Sequence, residues 1–311
     1  MNDSSRMGEM RSDGWLFTRA YAKVNLTLDV LGRRADGYHE LASVLQTVAL
    51  ADTLAFRALP NGQIEVFCDA PALRGPENLV YRAVEALRGA TGCRRGVRIE
   101  LQKRIPAQGG LGGGSSDAAM VLLALNRWWH LGLARERLLE LAASLGSDVP
   151  FFVLGGTALV EGRGERVTPL PDLPGMWVML LKPSVAVSTP AAFRALTPAD
   201  YTDGQATATL VSAIRGSALP SLDGLMNALE ARVCQEYPAV AESRAAFFQA
   251  GAQFVCMSGS GPTLFALFPS LAEAAPVYQA LLGEGRQVWL TRAVSRKEAL
   301  RVVSLPGESD I

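Results

Sequence analysis

Glycine, serine, lysine and aspartate are the residue types with chemical potential in this chain of 311 residues, and the glycines are the most concentrated. Pro106-Ala107-Gln108-Gly109-Gly110-Leu111-Gly112-Gly113-Gly114-Ser115-Ser116-Asp117 holds five glycines in six positions, 109 to 114. Glycine permits φ > 0 and lets backbone N–H groups approach an anion without a Cβ in the way. Leading into a helix, such a run adds the free N–H groups of the first turn and the positive end of the macrodipole. Ser115 and Ser116 offer hydroxyls at the same rim, and Asp117 is expected in the first turn, where a carboxylate is favourable. A flexible strand-to-helix connection is the plainer reading, but the density of the run favours a phosphate. It is neither of two familiar phosphate loops. A P-loop needs Lys after its second spaced Gly, where Ser115 stands, and a dinucleotide fingerprint starting at Gly110 needs Gly or Ala at the same position.

The elements around the run are those that would present it. Val97, Ile99, Leu101 and Ile105 alternate with polar residues as a strand, and Asp117 to His130 is an apolar segment with the character of a buried helix. From Thr18 to Val30 the alternation is almost perfect, predicting a strand packed on one side only, with Lys23 and Asn25 on its polar face. Those two side chains either point to water or floor a site. Asp36-Gly37 marks a turn before Leu41 to Phe56, and Asn78 opens a helix through Arg88. Ser147 or Asp148 is placed to cap a short helix started by Pro150. Thr157 to Glu161 and Arg166 to Leu170 predict a hairpin, and Pro171 to Gly175 a linker. Beyond it come a strand at Met176 to Leu181, a helix carrying Phe193, a mobile loop at Pro198 to Gln205 and three helical segments within Ala206 to Ala250. Short strands flanking Ser258-Gly259-Ser260-Gly261-Pro262, a helix near Leu271 to Leu282 and a strand at Val288 to Val294 complete the chain. Strands mixed with helices, without a regular βαβ rhythm, predict α+β in both halves.

Bulk composition narrows the function classes. Thirty basic and thirty acidic residues cancel, so phosphate binding has to come from placed groups, and neither nucleic acid nor an anionic membrane is an expected partner. Cys68, Cys93, Cys234 and Cys256 are scattered, which suits reduced thiols in a cytoplasmic protein, and two histidines leave no His-rich metal site. No apolar stretch approaches the ~20 residues of a membrane span.

Four segments together resemble one family, the GHMP kinases. They are Ala22-Lys23-Val24-Asn25-Leu26 with Asp36-Gly37-Tyr38-His39, the glycine run, Gly146-Ser147-Asp148-Val149-Pro150, and Met257-Ser258-Gly259-Ser260-Gly261-Pro262. The resemblance implies a two-domain α+β architecture, an N-terminal ribosomal-protein-S5-like domain and a C-terminal ferredoxin-like domain with the active site between them. It divides the chain into a disordered extension (1–14), an N-terminal domain (15–172), a C-terminal domain (173–303) and a tail (304–311). It further implies an ATP-dependent small-molecule kinase with Asp148 as catalytic base and Lys23 as its partner. ATP would lie on Pro106 to Ser116, with Asn78 near the adenine, and Mg²⁺ would bridge its phosphates without an identified protein ligand. The Asp-Gly-Tyr-His run after Lys23-x-Asn25 resembles the branch whose acceptor is a cytidine diphosphate-linked polyol. On that basis Tyr38 and Phe193 take the faces of the base, His39 its edge, Asn25 the polyol or diphosphate, and Ser258 and Gly259 close over the phosphates. A monomer or homodimer is expected, acting on a small molecule.

Overall fold

The alternating segments form two sheets, and the apolar helices cover them. The computed structural model describes residues 14–73, 75–173, 175–216, 222–283 and 286–303. Residues 1–13 of the expected extension, the tail at 304–311 and Pro174 of the linker lie outside them.

The first sheet has eight strands. Strand β1 (Leu16–Arg33) runs antiparallel to β2 (His39–Leu59), from Leu16 opposite Phe56 to Arg33 opposite His39. Three register shifts interrupt the pairing, one of them between Asn25 and Thr27, and β2 continues through Ala51-Asp52. On the far side β2 pairs with β4 (Gly96–Gln102) and with β5 (Thr157–Gly162), which turns back as β6 (Arg166–Pro169). Edge strand β3 (Ile64–Cys68) lies parallel to β4.

Helices α1 (Leu79–Thr91), α2 (Gly113–Trp128) and α3 (Arg135–Leu145) share one core with this sheet, Val84 and Leu122 packing with Phe56 and Ile99. Leu122 and Leu125 of α2 are fully buried, a contribution of roughly 1.5–3 kcal/mol each. Helix α2 stops where His130 takes φ 55°, and the Asn126 side chain holds the exit by donating to the Leu133 carbonyl and accepting from its N–H, both at 3.0 Å.

The second sheet orders β11 (Arg286–Arg292), β7 (Trp177–Pro183), β10 (Leu264–Phe268) and β9 (Cys256–Met257). Helices α8 (Pro238–Gln249) and α9 (Leu271–Leu281) cover it through Val240, Phe247, Ala274 and Val277. Two short pieces of the C-terminal half return to the first sheet: β8 (Met226–Asn227) pairs with β1 in parallel and β12 (Val302–Val303) antiparallel.

Strand β1 is therefore not packed on one side only. Ala22, Val24 and Leu26 join a core with Leu180, Leu210, Val211 and Phe265 from the second half of the chain. The other face is covered as well, and Lys23, Asn25, Thr27 and Asp29 are all buried. Burial without partners would be costly. Asp29 instead accepts the N–H of Thr207 at 2.9 Å, in the first turn of α6 (Gln205–Arg215), and Thr27 bonds the Thr207 hydroxyl at 2.9 Å.

The region 198–205 is likewise tied down. A 3₁₀ turn at Pro198–Asp200 carries a capping box with Thr197, and the Arg232 guanidinium donates to Asp200 at 3.0 Å. That arginine and the Thr197 donors hold the Asp200 carboxyl down at about 2.

Candidate active site

The polar face of β1 is the floor. Lys23 Nζ donates to Asn25 Oδ1 at 2.6 Å, and Asn25 Nδ2 donates to Ser43 Oγ at 2.8 Å. Burial pushes the Lys23 ammonium down, and the charge on Asp148 works in the opposite direction. Asp148 precedes α4 (Val149–Leu154) in helical geometry, and its side chain makes no capping hydrogen bond. The carboxylate is thus not spent on the helix it precedes. It is half-buried, within electrostatic reach of Lys23.

The glycine run closes over this floor. Lys23 N–H donates to the Leu111 carbonyl at 3.1 Å, which fixes the loop to the strand. Gly110 has φ 72°, and a Cβ there would stand 2.1 Å from the Ser258 carbonyl oxygen; only glycine allows that approach. Gly112, at φ 71°, is the N-cap of α2, so the helix begins at Gly113 and not at Asp117. Ser115 is half-buried and Ser116 buried within the first turn. From the other side, Ser258 Oγ donates to the Gly110 carbonyl at 3.0 Å, and a Cβ on Gly259 would lie 3.0 Å from Lys23 Nζ. Lys23, Asn25, Gly110, Ser258 and Gly259 therefore meet at one point.

Asp117 does something other than line the helix N-terminus. It is buried past the first turn, where its Oδ2 accepts from Lys103 Nζ at 2.6 Å, while Lys103 also donates to Asp52 at 2.5 Å. Asp52 Oδ1 takes the N–H groups of Arg104 and Ile105, but Asp117 Oδ1 is buried with no partner. Burial raises the Asp117 carboxyl to about 8, with Lys103 opposing. In this dry site the proton is held by Asp117.

Asn78 is a helix cap. Its Oδ1 accepts from Val80 N–H at 2.9 Å and its Nδ2 donates to the Leu73 carbonyl at 2.6 Å. Helix α1, which it starts, lies beside the loop, with Leu79 nearest to Gly114.

At the far end of β1 and β2, His39 stacks on Phe193 of α5 (Thr189–Arg194) with ring centroids 5.3 Å apart, and Tyr201 meets its edge at 6.0 Å. Burial, then the charge on Arg33, pushes the His39 imidazole down, keeping it neutral. Tyr38 points outward from the turn, 55% exposed. Successive residues entering a strand face opposite sides, so the stack on Phe193 is made by His39 and not by Tyr38.

Residues 78–156 match the family described as GHMP kinases N terminal domain, and residues 210–287 match GHMP kinases C terminal. A protein of Pelotomaculum thermopropionicum named 4-diphosphocytidyl-2-C-methyl-D-erythritol kinase is 46% identical over 278 residues, covering 88% of this chain and 96% of that one. A protein of the same name from Listeria innocua is 41% identical over 286 residues, 90% of this chain and 96% of that one. The chain is a GHMP kinase.

A GHMP kinase is a small-molecule kinase with ATP as phosphoryl donor. The solved structure titled 4-(cytidine 5'-diphospho)-2C-methyl-D-erythritol kinase superposes on this GHMP kinase with TM-score 0.75 at 38% identity, covering 89% of this chain and 98% of that one. Homoserine kinase from Cytophaga hutchinsonii shares the fold, with TM-score 0.65 at 20% identity over 90% of this chain and 95% of that one. Among the described residues no helix is long and apolar enough to cross a membrane.

Three residues of this site escape a reading of the sequence. Asn227 Nδ2 donates to the carbonyls of Met257 and Gly259 at 2.7 and 2.8 Å, and its Oδ1 accepts from Leu229 N–H, so it shapes the 257–261 turn. Thr263 Oγ1 is buried without a partner, 3.0 Å from where a Cβ on Gly109 would stand. Lys103 sits beneath Gly113. Only the uncommon burial of a lysine three residues before Pro106 could have flagged it, and burial is not written in sequence. The described residues contain no cluster of three His, Cys, Asp or Glu side chains able to hold a metal.

Proposed function

We propose that this GHMP kinase transfers the γ-phosphoryl group of ATP to the 2-hydroxyl of 4-diphosphocytidyl-2-C-methyl-D-erythritol, a step on the non-mevalonate route to isoprenoid precursors. One observation carries the reading beyond the family name. The His39–Phe193 stack and the exposed Tyr38 ring lie at the end of the same strand pair whose middle holds Lys23 and Asn25. A nucleobase platform at the end and a phosphoryl-transfer floor in the middle of one strand pair suit an acceptor with cytosine at one end and a polyol at the other. Relatives that carry this enzyme's name over nearly the whole chain support it.

In this reading residues 15–172 and 173–303 are the two domains and Asp148 is the general base. A tertiary alcohol is a poor nucleophile at neutral pH, so a carboxylate within hydrogen-bond reach has to take its proton as the phosphoryl group arrives. Lys23, already oriented by Asn25, keeps Asp148 ionised and offsets charge on the moving group. Transfer is direct and in line, governed by placement and charge. Backbone N–H groups from Gly109 to Ser116 bind the ATP phosphates, Asn78 borders the adenine as the cap of α1, and Ser258 and Gly259 close over the transferring group. Mg²⁺ would accompany ATP, with no protein ligand assigned to it, and would supply charge neutralisation at the phosphates. For Tyr38 and Phe193 to take the two faces of cytosine, the turn at 34–38 has to carry the Tyr38 ring round to the Phe193 side while neutral His39 leaves its stack to bond the base edge.

The test is transfer of labelled γ-phosphate from ATP and Mg²⁺ to the cytidyl acceptor, with homoserine, mevalonate and galactose in parallel. Labelling of the cytidyl compound alone is the expected result. Labelling of another alcohol, with the cytidyl compound untouched, overturns the acceptor assignment while keeping the family.

A further inference from the structure

The β5–β6 hairpin tip, Gly162-Arg163-Gly164-Glu165, belongs to none of the segments assigned so far. Pairing of Leu41 with Gly162 brings it beside the turn that carries Tyr38. The Arg163 guanidinium lies over the Tyr38 ring, its carbon 4.8 Å from the centroid. A Cβ on Gly164 would stand 3.3 Å from the Ser147 side chain, so the same tip touches the residue before Asp148.

Its neighbours are neutralised and it is not. Arg34 is paired with Asp36 and Glu40, and Arg166 with Glu40 at 2.9 Å. Glu165 spends its carboxylate on the backbone N–H of Arg163 at 2.7 Å. Arg163 itself forms no salt bridge among the described residues, and its side chain is exposed. Its charge does reach the turn: against desolvation, the largest single influence, the Tyr38 N–H and Arg34, and after them Arg163, together hold Asp36 below its ordinary value.

Stacking on a ring occupies only the face of a guanidinium and leaves its in-plane N–H donors free for an oxyanion. Building on the acceptor assignment above, we propose that Arg163 is a specificity-determining residue: it steadies Tyr38 by one face and donates to the acceptor's diphosphate. The tip then links base recognition to the catalytic segment through Ser147, and an acceptor lacking the diphosphate forfeits that link.

Calorimetric binding of cytidine, CMP and CDP to the wild type, Arg163→Ala and Arg163→Lys tests this. Arg163→Ala is expected to weaken CDP about 10-fold or more and cytidine no more than about 3-fold, with CMP between. Arg163→Lys should recover part of the loss for CDP and none for cytidine, because it restores charge without the planar stack. In turnover the acceptor KM should rise while the KM for ATP stays fixed, a split that general loosening of the hairpin would not give. Equal affinities in Arg163→Ala and wild type, or equal losses for cytidine and CDP, overturn the proposal alone. A wild type that binds none of the three overturns the acceptor assignment, and this proposal with it.

Discussion

Replacing Asp117 by Asn should flatten the pH dependence of stability in the neutral range. In the unfolded chain Asp117 ionises at its ordinary 3.8, whereas in the fold it holds a proton up to about 8. Between those values the native state binds one proton that the unfolded state does not. Stability is therefore full below the unfolded value and declines as pH climbs toward 8. The slope is about 1.4 kcal/mol per pH unit, so moving from about pH 6 to about pH 7.5 removes roughly 2 kcal/mol. Asparagine keeps the shape, its Oδ1 still accepts from Lys103, and the excess negative charge beside Asp52 is gone. Urea unfolding of both proteins at several pH values supplies the measurement, and their difference cancels every other titrating group. The Asp117→Asn variant should gain on the wild type steadily up to about pH 8 and no further. A difference that stays constant with pH, or a wild type that gains stability as pH rises, would mean that Asp117 is ionised and that Lys103 satisfies both carboxylates.

Other predictions concern the loop and the floor. Asp148→Asn should lower kcat by about 10²–10⁴ while leaving the far-UV spectrum and thermal midpoint unchanged, because its carboxylate caps nothing. Gly110→Ala drives a methyl into the Ser258 carbonyl; a loss of more than about 2 kcal/mol in denaturant titration, with weakened ATP binding, is expected. Asn227→Ala strips hydrogen bonds from one buried and one half-buried carbonyl and from one N–H. It should cost about 2–3 kcal/mol by the same titration and raise the acceptor KM, although Asn227 touches no proposed ligand.

The sequence discloses most where a pattern has one physical solution. Alternation from Thr18 to Val30 is strand whatever surrounds it, and a glycine run between strand and apolar segment opens a helix. What it cannot disclose is coverage. Lys23 and Asn25 look the same in sequence on an open face and on a buried one, and their burial comes from segments distant in the chain that meet β1. Glycines are poor helix formers, so the sequence suggests a start at Asp117; the helix nevertheless begins at Gly113, where a Cβ would crowd Ile105 and Lys103. Tyr38 and His39 look like a pair in sequence, yet the strand pleat sends them to opposite sides. Asn78 is legible in both its roles, and the hydrogen bonds display the cap.

Strand β1 receives partners from the beginning, the middle and the end of the chain: β2 along its length, β8 from residues 226–227, and β12 from 302–303. Separating the C-terminal pieces from the first sheet therefore means breaking pairs on the strand that bears Lys23. A ribosome that has released the chain only as far as Asp200 has made every proposed phosphate-loop residue but not the turn at Ser258 that clasps Gly110. The clasp on the glycine loop forms only once Ser258 has followed.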